Sequence, residues 1–382
     1  MDSAYEMVCY KPELKGQVIE LQRHLWSPGV ELNAAYFAWK YERNPYIQTP
    51  LIYIAMQNGK AVGMRGFFGT KWEGGIPPEK SIVPYADDLV IAPEHRNRGL
   101  IPKIMVPALA DLGRRGYLYT FNLSAGPMTL ITSLGGGWRN VGSMRPMRQQ
   151  SWRVTLRRGR DRLVKGLSAP SLENGEITSQ QSLKRRWSLT DIDMGSAGRK
   201  FADASRIRLE AAPRSAGMAE LVERISSDGR IRHVRDREYF DWRFQNPLSR
   251  YRFLFWEETR LEGYLVLQEY TSAYANEEVV NIVDWEASSA AIQARLLQAA
   301  KILTAHRRLI IWSASLSAPT REVLDSKGFK LERQPKSTAR QRSPLLVRPI
   351  RDEALADDWL FAGQPLLSMK SWDLRMLYSM HG

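Results

Sequence analysis

One pattern occurs twice along this chain, and a duplicated pattern restricts the fold to two copies of one supersecondary unit. Tyr36-Phe37-Ala38-Trp39-Lys40-Tyr41 precedes Asn44-Pro45, and Tyr239-Phe240-Asp241-Trp242-Arg243-Phe244 precedes Asn246-Pro247, with the two tryptophans 203 residues apart. Each copy runs on into a hairpin signal. The first has a strand from Leu51 to Ala55, a turn at Asn58-Gly59-Lys60 and a return through Val62-Gly63. The second has a strand from Tyr251 to Trp256, a turn near Glu258-Thr259-Arg260 and a return through Gly263 to Val266. Tyr119 to Ala125 has a counterpart in Ile311 to Ala318, each leading to a helix and then to Gly137-Trp138 or Gly328-Phe329. Glu6 to Pro12 is matched by Arg206 to Pro213. The predicted order in each copy is strand, helix, hairpin, strand, helix, strand, helix. Aromatics three apart on a helix read first as a buried face, so the Tyr-Phe-x-Trp segments are assigned to the core.

A chain of 382 residues is long enough for two such domains with a connector between them. The boundaries read as a first domain over 1–151, a basic connector over 152–204, a second domain over 205–350 and a packed tail over 351–382. Arg153, Arg157, Arg158, Arg160, Arg162 and Lys165, then Lys184-Arg185-Arg186, mark the connector, which reads as a solvated linker before it reads as an anion-binding arm. Trp359, Phe361, Trp372, Leu374 and Leu377 make the tail too apolar to hang free.

No run approaches the ~20 apolar residues that cross a bilayer, and acid stands at the N-terminus where a signal peptide carries base. The expectation is a cytoplasmic protein without a transmembrane segment. Cys9 is the single cysteine, and His24, His95, His233, His306 and His381 are scattered, so neither a disulfide nor a metal site is expected. The net charge of +14 favours an anionic partner, which leaves nucleic acid, an anionic lipid surface and a phosphorylated small molecule open. The connector lacks interleaved aromatic and basic residues, which argues against single-stranded nucleic acid.

The strongest local signal is Asp87-Asp88-Leu89-Val90-Ile91-Ala92-Pro93-Glu94-His95-Arg96-Asn97-Arg98-Gly99-Leu100-Ile101. An apolar strand leads into a basic loop, and helical periodicity begins at Ile101 and runs through Ile104, Met105, Leu109 and Leu112. A helix start offers unpaired N–H groups and the positive end of a dipole. Gly99 permits close backbone approach, and Arg96 and Arg98 add charged donors, so a pyrophosphate suits the turn.

This segment resembles the acetyl-CoA-binding motif of the GNAT (Gcn5-related) N-acetyltransferase superfamily, Val-x-x-x-x-Arg/Gln-x-x-Gly-x-Gly/Ala, with Arg96, Gly99 and Ile101 at its diagnostic positions and Ile101 in place of the small final residue. The resemblance implies an α/β chain of two tandem GNAT-like domains, each a mixed, mostly antiparallel sheet flanked by helices. It implies acetyl-CoA or another acyl-CoA as cofactor. The backbone of Leu89, Val90 and Ile91 would pair with the pantetheine arm, and Arg96, Asn97, Arg98, Gly99, Leu100 and Ile101 would wrap the pyrophosphate. Asp87 and Asp88 stand where the family often places an acidic base. Strand alternation puts them on opposite faces, so at most one is expected to face the amine. Ile131 occupies the place of the family's acid Tyr. Thiolate protonation then falls to Ser124, with Tyr85, Tyr119 or water as alternatives; Ser124 also reads as a helix cap.

The second copy carries Val283-Asp284-Trp285-Glu286-Ala287-Ser288-Ser289-Ala290 at the loop position, without Arg or Gly, and is expected not to bind the cofactor but to wall the acceptor cleft. The implied activity is N-acylation of a small-molecule amine, with an amino sugar or nucleotide sugar of surface polysaccharide synthesis preferred and a phosphate on it suited to the charge. A Fem-type aminoacyl-tRNA-dependent transferase and a non-catalytic binding or scaffold protein are the alternatives.

Overall fold

The computed structural model describes residues 5–150, 188–192, 205–225, 227–270, 279–305, 307–332, 343–351 and 359–379. The arginine run of 153–165 and the Lys184-Arg185-Arg186 triplet lie outside them. The first repeat runs β1 (Glu6–Cys9), α1 (Lys15–Gln22), α2 (Val30–Phe37), β2 (Leu51–Gln57), β3 (Lys60–Gly74), β4 (Glu79–Ile91), α3 (Leu100–Arg114), β5 (Tyr119–Asn122), α4 (Pro127–Gly135), β6 (Arg139–Ser143) and β7 (Pro146–Gln150). The second runs β8 (Ile207–Glu210), α5 (Ser215–Arg224), β9 (Arg232–His233), α6 (Arg237–Arg243), β10 (Ser249–Glu257), β11 (Leu261–Tyr270), β12 (Val279–Ala287), α7 (Ala290–Leu303), β13 (Arg308–Trp312), α8 (Ala318–Ser326), β14 (Lys330–Leu331) and β15 (Pro344–Pro349).

The strands form two sheets of the same design. The first has the order β1-β2-β3-β4-β5-β15-β6, with β9 added on β3; the second has the order β14-β7-β13-β12-β11-β10-β8. In each, one central pair is parallel (β4 with β5, β12 with β13) and the other neighbours are antiparallel. The expected architecture, two mixed and mostly antiparallel sheets flanked by helices, is what the chain adopts.

The sequence did not disclose that the last strands are exchanged. β7 of the first repeat lies between β13 and β14 in the second sheet, and β15 of the second repeat lies between β5 and β6 in the first. Hydrophobic alternation specifies that a strand has one buried face but not which sheet buries it. Neither sheet is whole without a strand from the other repeat.

The repeated helix segments meet at the centre. Trp39 and Trp242 stack with centroids 4.9 Å apart and planes at 8°, and each indole N–H donates to the other's carbonyl oxygen at 2.8 and 2.9 Å. The contact is reciprocal, as between the halves of a symmetric dimer. The recurrent Asn-Pro has a local cause. Asn44 Oδ1 accepts from the N–H groups of Tyr46 and Ile47 while its amide donates to Gly69 O, and Asn246 Oδ1 accepts from Leu248 N. Each asparagine closes the turn that carries its helix into its hairpin.

His233 sits where β9 joins β3, enclosed by the rings of Trp72, Tyr239 and Tyr378, and its Nδ1 pairs with Val234 O. Burial, only partly offset by that backbone bond, pushes the imidazole down to about 3. A folded-state value below the unfolded one means the contribution is complete above the unfolded pKa and is lost as pH falls from about 6.5 towards 3. Urea unfolding at pH 7 and pH 5 should show His233 accounting for a loss of about 2 kcal/mol, and His233→Gln should flatten that part of the profile. Equal pH slopes in both proteins would show that the imidazole protonates without opening the joint.

Candidate active site

β4 and β5 pair at a single position, Tyr85 with Phe121, and then diverge. Residues 86–91 of β4 therefore have no ladder partner on the β5 side among the described residues. The gap is lined by two adjoining cavities that share Arg65 and Leu89. One, of about 310 Å³, runs past Ile101, Met105 and Gly136 between α3 and α4; the other, of about 330 Å³, is bordered by Asp87, Ser124 and Ser343.

At the outer end stands the loop 92–99. Arg96, Asn97, Arg98 and Gly99 are exposed. Gly99 has φ +67° and caps α3 with no side-chain hydrogen bond to the helix amides. A Cβ placed on it would meet nothing within 4 Å. Asn97 also takes a left-handed φ of +60°, Arg96 Nε donates to Ile91 O at 3.2 Å and Arg98 reaches Tyr5 OH at 3.4 Å. Leu100 turns inward as the first buried residue of the helix, and Leu89 and Ile101 line the slot. The second repeat closes the same junction. β12 passes into α7 across Ser288 and Ser289, and Ser289 Oγ accepts from Ile292 N at 3.3 Å. That helix start is capped by its own side chain.

At the inner end, Asp87 and Asp88 converge. The expectation that alternation would send them to opposite faces is wrong, because β4 bulges between them and the next strand position. Met64 pairs with Val90 and Gly66 with Asp87, so Arg65 alone opposes Asp88 and Leu89, and Asp88 takes φ +46°. The extra residue turns both carboxylates to one side. Lys40 Nζ lies 2.6 Å from Asp87 Oδ2 and 2.7 Å from Asp88 Oδ1.

The two acids are not equivalent. Asp88 receives Trp26 Nε1 and Lys40 on Oδ1 and Gln22 and Tyr41 on Oδ2, which occupies the four acceptor positions of a carboxylate. Asp87 receives Lys40 on Oδ2 and the Ser124 hydroxyl on Oδ1 at 2.8 Å. Ser124 does not cap α4, whose N-cap is Gly126. Tyr85 is buried and accepts the Leu123 N–H at 2.5 Å, with burial and then Asp87 holding its phenol well above the usual range. Tyr119 donates to Leu360 O at 2.6 Å.

Lys40 and Arg65 escaped the sequence reading. Lys40 is fully buried, with Trp26, Tyr36, Tyr41 and Phe68 rings within 5.1 to 5.5 Å of Nζ. Its position four residues after Tyr36 on an apolar face was the available signal, since a lysine there needs a carboxylate partner. Arg65 is 2% exposed; burial pulls its guanidinium below the ordinary value against the attraction of Asp87. Two cations thus face two anions. Gly66 makes room for them, because a Cβ there would fall 2.0 Å from Tyr41 Oη.

No family model matches the sequence, and no curated protein matches it. Among solved structures, a GCN5-related N-acetyltransferase from Anabaena variabilis aligns over 91% of this chain and 73% of its own at 11% identity, TM-score 0.55. A protein of Enterococcus faecalis described as a probable N-acyltransferase aligns over 91% and 73% at 9% identity, TM-score 0.57. A tandem GNAT protein from the clavulanic acid biosynthesis pathway aligns over 92% and 100% at 13% identity, TM-score 0.50. The chain has the GNAT fold. It carries that fold twice, in tandem.

Removing Lys40 should take away the cation that is paired directly with both buried acids. Lys40→Met is expected to cost about 3–5 kcal/mol in urea unfolding, and adding Asp88→Asn should return part of that loss. Simple additivity of the two substitutions would mean that Lys40 does not hold the acids together.

Proposed function

We propose that the chain is an acyl-CoA-dependent N-acyltransferase whose first repeat binds the acyl-CoA and performs the transfer. The observation that carries this is the contrast between the two helix starts: α3 is uncapped, glycine-led and open to solvent, and the slot beside it leads to Asp87 and Ser124, whereas α7 is closed by Ser289.

The residues present fit the group. The amides opening α3 after Gly99, with Arg96, Asn97 and Arg98 around them, would hold the pyrophosphate, and the bare edge of Leu89, Val90 and Ile91 would pair with the amide-bearing arm. Ile101, in place of the family's small residue, lines the slot. When bound, acyl-CoA supplies an activated thioester for an amine to attack.

The chain's own contribution is proton movement and positioning. Asp87, which lines the cavity and accepts the Ser124 hydroxyl, takes the proton that the attacking amine must lose. Ser124 gives up its hydroxyl proton on the side of the departing thiolate and regains one from Asp87 along the 2.8 Å hydrogen bond, so the relay is balanced. Asp88, saturated by four donors, is assigned to holding the bulge. Lys40 supplies the charge that lets both acids be buried. The acceptor is proposed as a small amine, an amino sugar or nucleotide sugar being preferred because the chain is so basic.

Calorimetry with acetyl-CoA and thiol release with a panel of amines test the reading together. Gly99→Asp keeps a residue that tolerates the left-handed backbone but places a carboxylate on the helix amides; cofactor affinity should fall at least ~tenfold. Asp87→Asn should lower turnover by ~10²-fold or more with cofactor affinity retained. Acetyl-CoA binding that Gly99→Asp leaves intact would remove the cofactor assignment, and full turnover in Asp87→Asn would remove the base.

A further inference from the structure

The two repeats place equivalent loops at equivalent cavities. In the first, the segment from Asn122 to Gly126 and the residue before β15, Ser343, border the reactive cavity. In the second, Ala314 to Ser317 and the residue before β7, Arg145, border a cavity of about 920 Å³. Ser343 and Arg145 share the left-handed backbone, at φ +49° and +48°. The two lie on neighbouring segments, since Met144 N donates to Ser343 O and Met144 O accepts from the N–H groups of Ser313 and Ala314.

The chemistry of the second cavity has been reversed. The buried acid of this repeat, Asp284, is withdrawn from it, taken by Arg235 at 2.9 Å and Tyr264 at 2.8 Å. What lines the cavity instead is cationic: Arg145, Arg230, Arg321 and Lys370. Arg230 is engaged, pairing with Asp228 at 2.6 Å and donating to Ser315 O and Trp372 O. The two carboxylates on the wall are engaged as well, Asp228 by Arg230 and Glu332 by Arg148 at 3.4 Å. Among the described residues, no carboxylate pairs with Arg145, Arg321 or Lys370. Arg321 donates to Ala314 O, while its Nε is buried without a hydrogen-bond partner. Three cations from three separate segments line one concavity, which favours an anionic ligand there.

We infer that this cavity is a second ligand site, for a phosphorylated small molecule, distinct from the acyl-CoA slot. Its volume lies in the range of small-molecule sites and exceeds what one phosphate fills. Leu316, Leu331 and Met369 supply apolar wall for the remainder of such a ligand. Guanidinium groups and the ammonium suit phosphate oxygens, bidentately in the case of arginine.

Calorimetry of the full chain with UDP and with inorganic pyrophosphate as probes tests this. Arg145→Asn keeps a residue that tolerates positive φ, and Lys370→Gln changes an exposed side chain, so both should fold; unchanged unfolding midpoints check it. Saturable binding of either probe is expected, weakened at least ~tenfold in the double variant Arg145→Asn/Lys370→Gln and unchanged in Gly99→Asp. UDP binding more tightly than pyrophosphate points to an organic phosphate, and the reverse order to a free one. The proposal is overturned if neither probe saturates up to millimolar concentration, if the double variant binds as the parent does, or if only Gly99→Asp abolishes binding.

Discussion

A lysine ammonium with no access to water organises the chemistry of this molecule. Lys40 exists in that position only because Asp87 and Asp88 meet it, and the two acids share a side of the sheet only because β4 bulges at Asp88. Each requirement supports the next. Desolvating a cation and two anions is costly unless hydrogen bonds complete the set, and here Trp26, Gln22, Tyr41 and Ser124 complete it. Burial, and then the charge of Asp88, hold the Tyr36 and Tyr41 phenols well above their usual range, so both remain neutral beside the ions. The result is a rigid acidic floor under the gap between β4 and β5.

The second repeat shows what the same framework does with other residues. Arg243 stands where Lys40 stands and is as deeply buried, yet it donates to Leu377 O and Ser379 O at 2.9 Å and ties down the C-terminal segment. Asp284 is neutralised by Arg235, with burial pushing its carboxyl up and Arg235 opposing that. An eight-residue loop separates strand from helix in one repeat, and two serines do so in the other. One framework thus presents a helix start open to solvent in the first repeat and one capped by its own serine in the second.

Much of this was legible in the residues. The duplicated Tyr-Phe-x-Trp and Asn-Pro, the two hairpins and the loop around Gly99 are local patterns, and local patterns fix local structure. What escaped depends on non-local facts. The bulge that overturned strand alternation at Asp87 and Asp88 is a matter of register against Arg65, which neither strand encodes alone. Lys40 was hidden inside a segment whose aromatics already explained its burial. The exchange of β7 and β15 leaves no mark in the hydrophobic pattern, because either sheet would bury the same face.

The indole bonds of Trp39 and Trp242 are reciprocal, and the two sheets trade the strands β7 and β15. Both are what an isologous pair of identical subunits would make across a two-fold axis, so the chain has the anatomy of a strand-swapped homodimer written as one polypeptide. Separate identical subunits must change both halves whenever they change one. Fusion lifts that constraint, and the divergence of Gly99 from Ser289 and of Ser343 from Arg145 is the freedom it grants.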